Sequence, residues 1–356
     1  MNDASPIPQP NDRILRVHAD HDAAPIVVEV TRGTLVESVH RVIAAVTDAT
    51  GKTVMSWGDA DRLVYGRSAI KPIQAIPVLE SGAADAYALG EDEVTLCCAS
   101  HSGEAMHVDR VNAWLDRLGL SVEDLECGPQ IPSHEPSAHA MIRAGQAPTR
   151  AHNNCSGKHS GMLTTAIHLG EPTKGYIRED HPVQKRLRAA MEEMSGCDLS
   201  DVPTGFDGCG IPVFGVPLKG MATAMAQFAD PSRLSSSRAD AARRIVAACA
   251  KHPLLIGGTG RFNSTVLAET GETCLLKSGA EGVFAGAVPG RGYGICLKAD
   301  DGNGRAASTA MAAILRRLGV IDDAMAERLA DTLVQPVRNW EGRLVGHVRP
   351  APDLAF

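Results

Sequence analysis

The chain has 356 residues, 44% hydrophobic and 22% charged, enough apolar material for a substantial core in one large domain or two modest ones. Lys and Arg total 35 against 42 Asp and Glu, and the net charge of −7 comes with no basic tract interleaved with aromatics, so nucleic acid is not an expected partner. No apolar run reaches transmembrane length, so no membrane partner is expected either.

Residues 1–22 are polar and proline-containing, without the apolar stretch of a secretory signal. They read as a flexible extension over residues 1–24, followed by a single catalytic domain over 25–356. Nine irregularly spaced cysteines with no signal ahead of them point to reduced thiols and a cytoplasmic location.

In chain order, residues 25–37 alternate and are rich in valine, as a strand requires. Residues 40–47 and 52–57 flank Asp48-Ala49-Thr50-Gly51, a hairpin with glycine in its turn. Pro72 lacks an N–H and is tolerated only near a helix start, so a helix begins close to Ser68 and runs through Ile73, Ile76 and Leu79 to Gly82. Residues 91–99 read as a buried strand ending in the polar loop Ser100-His101-Ser102-Gly103-Glu104. Helices are expected over 108–118, 158–169, 183–194 and 237–251, with a glycine-rich irregular passage over 203–217. Residues 261–270, 272–279, 282–287 and 292–299 read as successive strands, and helices over 306–318 and 325–333 follow. The pattern implies an α/β fold with strands from both ends in one mixed or antiparallel sheet, flanked by helices.

Ser68 and Lys71 stand three residues apart at the expected helix mouth, on one face and within reach of each other. A serine is a poor nucleophile until something takes its proton, and a desolvated lysine can do so. Downstream, Lys277-Ser278-Gly279 lies on an expected strand. A Ser-x-x-Lys helix followed by such a strand is the pairing used by serine β-lactamases and penicillin-binding proteins. In that arrangement Lys277 brings positive charge beside the nucleophile, Ser278 can hydrogen-bond substrate, and Gly279 lets substrate approach the backbone. Ser100 also reads as a helix cap or turn residue. Cys155 and Cys209 sit in glycine-bordered loops, whereas Cys97, Cys98, Cys249, Cys274 and Cys296 read as core. Loop thiols with a His or Asp nearby can hold zinc. The Gly157-Lys158 pair lacks the spacer of a phosphate loop, and that reading is rejected.

Six collinear blocks resemble the Rhizobium etli-type, thermolabile L-asparaginase II family. They are residues 36–41, 67–72, 98–102, 154–162 (Asn-Cys-Ser-Gly-Lys-His-Ser-Gly-Met), 180–182 and 207–212, within a likeness that covers about residues 25–345. The resemblance implies a fold like that of serine β-lactamases and glutaminases, and two Ser–Lys tandems, Ser68 with Lys71 and Ser100 beside Lys277. It implies zinc held by Cys155, Lys158 and Cys209, with Asp207 and His159 near that site. It suggests a homodimer acting on L-asparagine to give aspartate and ammonia, with Arg67, His159, Asp207, Ser278 and Gly279 meeting substrate. Asn263 stands where some members carry a third cysteine near the metal. The Thr-Gly-Gly-Thr signature of the unrelated threonine-nucleophile asparaginases is absent. Alternatives are a glutaminase or other amide or lactam hydrolase, metal-assisted hydrolysis, and a non-catalytic ligand-binding descendant.

Overall fold

A computed structural model describes residues 24–351. The extension expected over residues 1–24 therefore lies outside the described residues, apart from Ala24, which is buried. The strands in chain order are β1 (Ile26–Arg32), β2 (Leu35–Asp48), β3 (Thr53–Trp57), β4 (Leu63–Tyr65), β5 (Thr204–Phe206), β6 (Pro212–Pro217), β7 (Leu275–Ser278), β8 (Val283–Val288), β9 (Tyr293–Ala299), β10 (Gln335–Arg338) and β11 (Leu344–Pro350). Among the described residues, one eight-stranded sheet runs β10-β11-β1-β2-β9-β8-β7, with β3 paired to β2, and its ladders are antiparallel. The pairing of β1 with β11 joins the two ends of the domain, as the sequence pattern implies. A small sheet, β4-β6-β5, stands apart.

The large sheet is covered on both faces. Ile295 pairs with Gly286 and so shares its face, where Met311 of the Gly304–Arg317 helix packs. Gly294 faces the other way, and a Cβ there would stand 2.0 Å from the Ala222 carbonyl oxygen in the Leu218–Ala229 helix. Beyond that helix lies a helical layer around Lys71–Glu80, whose residues 71–79 are all buried.

Several local expectations are corrected. Residues 25–37 are two strands, because the chain turns at Gly33, whose φ of +56° suits glycine. Residues 91–98 form a helix instead of a strand: Glu93 accepts the Gly90 N–H at 2.7 Å and caps its start. Residues 262–270 are also helical, with buried Asn263, Ser264, Val266, Leu267 and Thr270 recurring at helical spacing. The passage over 203–217 contains β5 and β6, and the C-terminal pair β10 and β11 carries no strong strand signal in the sequence.

The Ser156–His168 helix starts against the end of the Glu91–Cys98 helix, and Gly157 makes that approach possible. A Cβ on Gly157 would lie 2.4 Å from the Leu96 carbonyl oxygen. Gly157→Ala ordinarily favours a helix by roughly 1 kcal/mol, but overlap with backbone outweighs this by about 1–3 kcal/mol. A lower melting temperature is expected in thermal denaturation, and an equal or higher one contradicts the close-approach argument.

Candidate active site

Ser68 lies in a tight 3-10 turn, Arg67–Ile70, and Lys71 opens the α-helix that follows. Arg67 adopts a left-handed φ of +47°, an uncommon conformation for a residue with a side chain, immediately before the serine. The end of β7 packs directly on this turn: a Cβ on Gly279 would lie 2.9 Å from the Ala69 nitrogen and 3.2 Å from the Gly66 carbonyl oxygen. Gly279 is thus required by the protein's own packing, whatever substrate does beside it.

Lys71 is completely buried. Its Nζ donates to the Ala99 carbonyl (2.5 Å), Ser100 Oγ (3.0 Å) and the Asn154 carbonyl (3.3 Å). The expected contact between Ser68 and Lys71 is not a hydrogen bond among the described residues. A fully buried amine needs an acceptor for each N–H, and the 99–100 and 154 segments provide them. Lys277, also completely buried, places Nζ 2.9 Å from the same Ser100 Oγ and donates to the Ser278 carbonyl at 2.6 Å. Ser100 is therefore held between two lysines, one from each of the tandems that the resemblance implies. It does not cap a helix; Glu104 holds the N-cap position of the Ala105–Arg117 helix. Burial, then the neighbouring Lys71 charge, pushes the Lys277 amine well below its ordinary range, so the neutral amine is favoured.

A second cluster lies beside this one. Lys158 donates to Cys209 Sγ at 3.2 Å, and Cys155, whose Sγ donates to Asn154 Oδ1 at 3.0 Å, stands beside Cys209. The interaction with Cys155, reinforced by Lys158 against the effect of burial, brings Cys209 down to about 5, while Cys155 is pushed up to about 12. Burial opposes the charge on Lys158, but Cys209, Cys155 and Asp207 outweigh it and hold the ammonium form. Asp207 receives Arg67 Nε at 2.8 Å. Its burial favours the neutral acid, yet Lys158 and Arg67 together keep it ionised below the usual carboxylate range. Among the described residues no three His, Cys, Asp or Glu side chains converge as a metal-binding group. The candidate set is two sulfurs and one amine, with one sulfur already favouring thiolate; thiolates suit zinc, and the ion would have to displace the protons of Cys155 and Lys158 for all three to hold it.

His159 is buried on the first turn of the same helix as Lys158. Burial, then the Lys158 charge, lowers it to about 3, so the ring is neutral. Tyr176 Oη accepts the Glu126 N–H at 2.8 Å, and its own proton is free to donate to His159 Nδ1 at 2.7 Å. The ring proton is then assigned to Nε2, which has no hydrogen-bond partner among the described residues. Sequence reasoning missed Tyr176 and the carbonyls of Ala99 and Asn154. The Asn153-Asn154 pair preceding Cys155 was a signal for a special turn; backbone acceptors leave no side-chain signature.

Two buried lysines and a serine thus meet at one point of this mixed α/β scaffold. A family model described as L-asparaginase II matches residues 28–350, and the chain belongs to that family. No curated protein matches the chain by sequence. Among solved structures, a β-lactamase from Mycobacterium bovis is similar over 82% of this chain and 95% of its own, with 14% identity and a TM-score of 0.40. A protein described as a candidate β-lactamase from Bacteroides dorei is similar over 79% of this chain and 86% of its own, with 13% identity and a TM-score of 0.39.

Proposed function

We propose that this protein is an L-asparagine amidohydrolase that releases L-aspartate and ammonia through an acylated serine. Family membership supports the substrate class. The observation that carries the chemistry is the Ser100 hydroxyl, 3.0 Å from one buried lysine amine and 2.9 Å from another. Lys277 favours its neutral form and can accept a proton that Ser100 relays from Lys71 during the attacking step. Ser68 Oγ bonds to the side-chain amide carbon as Lys71 takes its proton and hands one of its own on along that relay. The C–N bond breaks, and Ser100, resupplied by Lys277, protonates the departing ammonia. Water opens the acyl-enzyme, the new carboxylate leaves as aspartate, and Ser68 regains its proton. His159 Nε2–H, Arg67 and Asp207 are the polar groups placed to orient substrate.

One observation favours a second reading. Ser100 is the serine that carries the lysine contacts, so it can itself be the nucleophile. Ser68 is preferred because its hydroxyl makes no hydrogen bond among the described residues that would restrain it, whereas the Ser100 hydroxyl is clamped from two sides. Ammonia release from L-asparagine but not from L-glutamine is the expected result of a coupled assay. Release from glutamine alone would reassign the substrate, and release from neither would overturn amide hydrolysis of these substrates.

We further propose that Cys155, Lys158 and Cys209 hold a zinc ion. When bound, the ion supplies fixed positive charge beside Asp207 and His159, and the thiolates keep it soft-ligated. Metal analysis of purified protein is expected to find about one zinc per chain, lost in Cys209→Ser. Full zinc content in that variant would remove Cys209 from the ligand set.

A further inference from the structure

The loop that carries Ser100 is fastened to the far wall of the site by a carboxylate that the proposed chemistry does not use. Glu104 holds the N-cap position of the Ala105–Arg117 helix, where a side chain ordinarily turns back to cap the first turn. It makes no such bond. Its carboxylate reaches instead across to the segment after Pro253–Gly257, accepting Thr259 N at 2.9 Å and Thr259 Oγ1 at 2.7 Å. The same group accepts Ser102 Oγ at 2.6 Å, and only 9% of the residue is exposed. Ser100 N donates to the Ile256 carbonyl at 3.0 Å, so the loop is pinned to the 256–259 segment at both of its ends.

Gly258 makes the crossing possible. Its φ is +117°, and a Cβ there would stand 2.0 Å from Ser102 Oγ and 2.5 Å from Glu104 Oε1. The N–H of Gly258 is itself satisfied by Ser264 Oγ at 3.2 Å. On the outer side, the His134 N–H donates to the Ser102 carbonyl at 3.2 Å, and His134 Nδ1 lies 4.0 Å from Glu104. Burial raises the Glu104 carboxyl, and its bonds from Ser102 and Thr259 more than reverse this, so the ionised acceptor is the favoured form.

We infer that Glu104 is a positioning residue: its bonds to Ser102 and Thr259 hold the Ser100 hydroxyl at hydrogen-bond distance from both lysines. The inference rests on the Ser–Lys reading for its effect on rate, and on loop geometry alone for its effect on order. Displacing a reacting group by about 1 Å can lower a rate roughly 100-fold. Two measurements on the full-length protein test it, the kcat and KM for L-asparagine and the amide hydrogen exchange of the same samples. Glu104→Ala is expected to lower kcat roughly 10- to 100-fold with KM within about twofold, and Glu104→Gln to restore part of the loss because one acceptor oxygen remains.

Exchange is expected to quicken in residues 99–104 and 256–261 while the 71–80 helix stays protected. Thr259→Val provides the same comparison from the opposite wall if the Glu104 variants fold poorly. Unchanged exchange at 99–104 in Glu104→Ala or Thr259→Val, or exchange raised equally throughout the chain, overturns the inference. Wild-type kcat in Glu104→Ala overturns it as well. A wild-type protein that leaves asparagine intact defeats the asparaginase reading instead, and the exchange pattern then decides the role of Glu104 by itself.

Discussion

Ser68→Ala is expected to reduce asparagine hydrolysis by roughly 10³-fold or more, the scale on which removal of a covalent nucleophile acts. Ser100→Ala is expected to cost about 10²- to 10⁴-fold, the range of a general acid–base group, so rates alone do not distinguish the two serines. The acyl-enzyme does. Trapping it with a slow amide or lactam substrate and mapping the modified peptide by mass spectrometry is expected to place the acyl group on Ser68. Ser100→Ala should still acylate, slowly, because Ser68 and Lys71 remain, whereas Ser68→Ala should not. An acyl group on Ser100 in the wild type would transfer the nucleophile's role to the serine that both lysines touch. The hydroxyl between Lys71 and Lys277 would then be activated directly instead of relaying a proton.

The second large effect belongs to Lys277. Lys277→Arg fixes a positive charge where the wild type favours a neutral amine, and it cannot give up a proton near neutrality, so it separates a base from a charge. Loss of about 10²- to 10⁴-fold in kcat is expected for both Lys277→Arg and Lys277→Met. Appreciable activity in the arginine variant would mean that charge, not proton transfer, is what the position supplies. With the wild type, kcat is expected to fall as pH drops through the lowered pKa of Lys277, because the neutral amine is then lost.

The same burial has a thermodynamic consequence. Between its lowered folded pKa and the ordinary value of 10.5, Lys277 is neutral when folded and protonated when unfolded. The unfolded state then binds more protons, so this residue's contribution to stability rises with pH and its penalty vanishes above about 10.5. Lys277→Met removes the penalty at neutral pH. A gain on the order of 1–4 kcal/mol is expected from replacing a buried ionisable group with an apolar one, less about 1 kcal/mol for the lost hydrogen bonds. Denaturant unfolding checks this, and a variant less stable than wild type at neutral pH would show that the bonds to Ser100 and Ser278 outweigh desolvation.

The motifs of the site were legible because each is local. Pro72 marks a helix start within a turn of Ser68, Lys277-Ser278-Gly279 sits on a short strand between turns, and Cys155 to His159 open a helix. The chain order of these blocks was enough for the family resemblance, and with it the fold class. Two elements were misread for different physical reasons. Residues 93–98 are buried all round, and a run with no exposed face does not show whether its period is 2 or 3.6; residues 262–270 bury positions at helical spacing, but three of them, Asn263, Ser264 and Thr270, are polar and do not register as apolar.

Local sequence by itself determined where the reactive side chains lie along the chain and which secondary structures present most of them. Tertiary structure alone decided whom they meet. Lys71 turned from Ser68 to Ser100 because two backbone carbonyls, from residues 99 and 154, wait there, and carbonyls are the same in every residue. Lys277 reaches that same hydroxyl across 177 residues of sequence, and Glu104 reaches Thr259 across 155. Separations of that length have no periodicity to read; they exist only once the helical layer has been packed against the edge of the sheet.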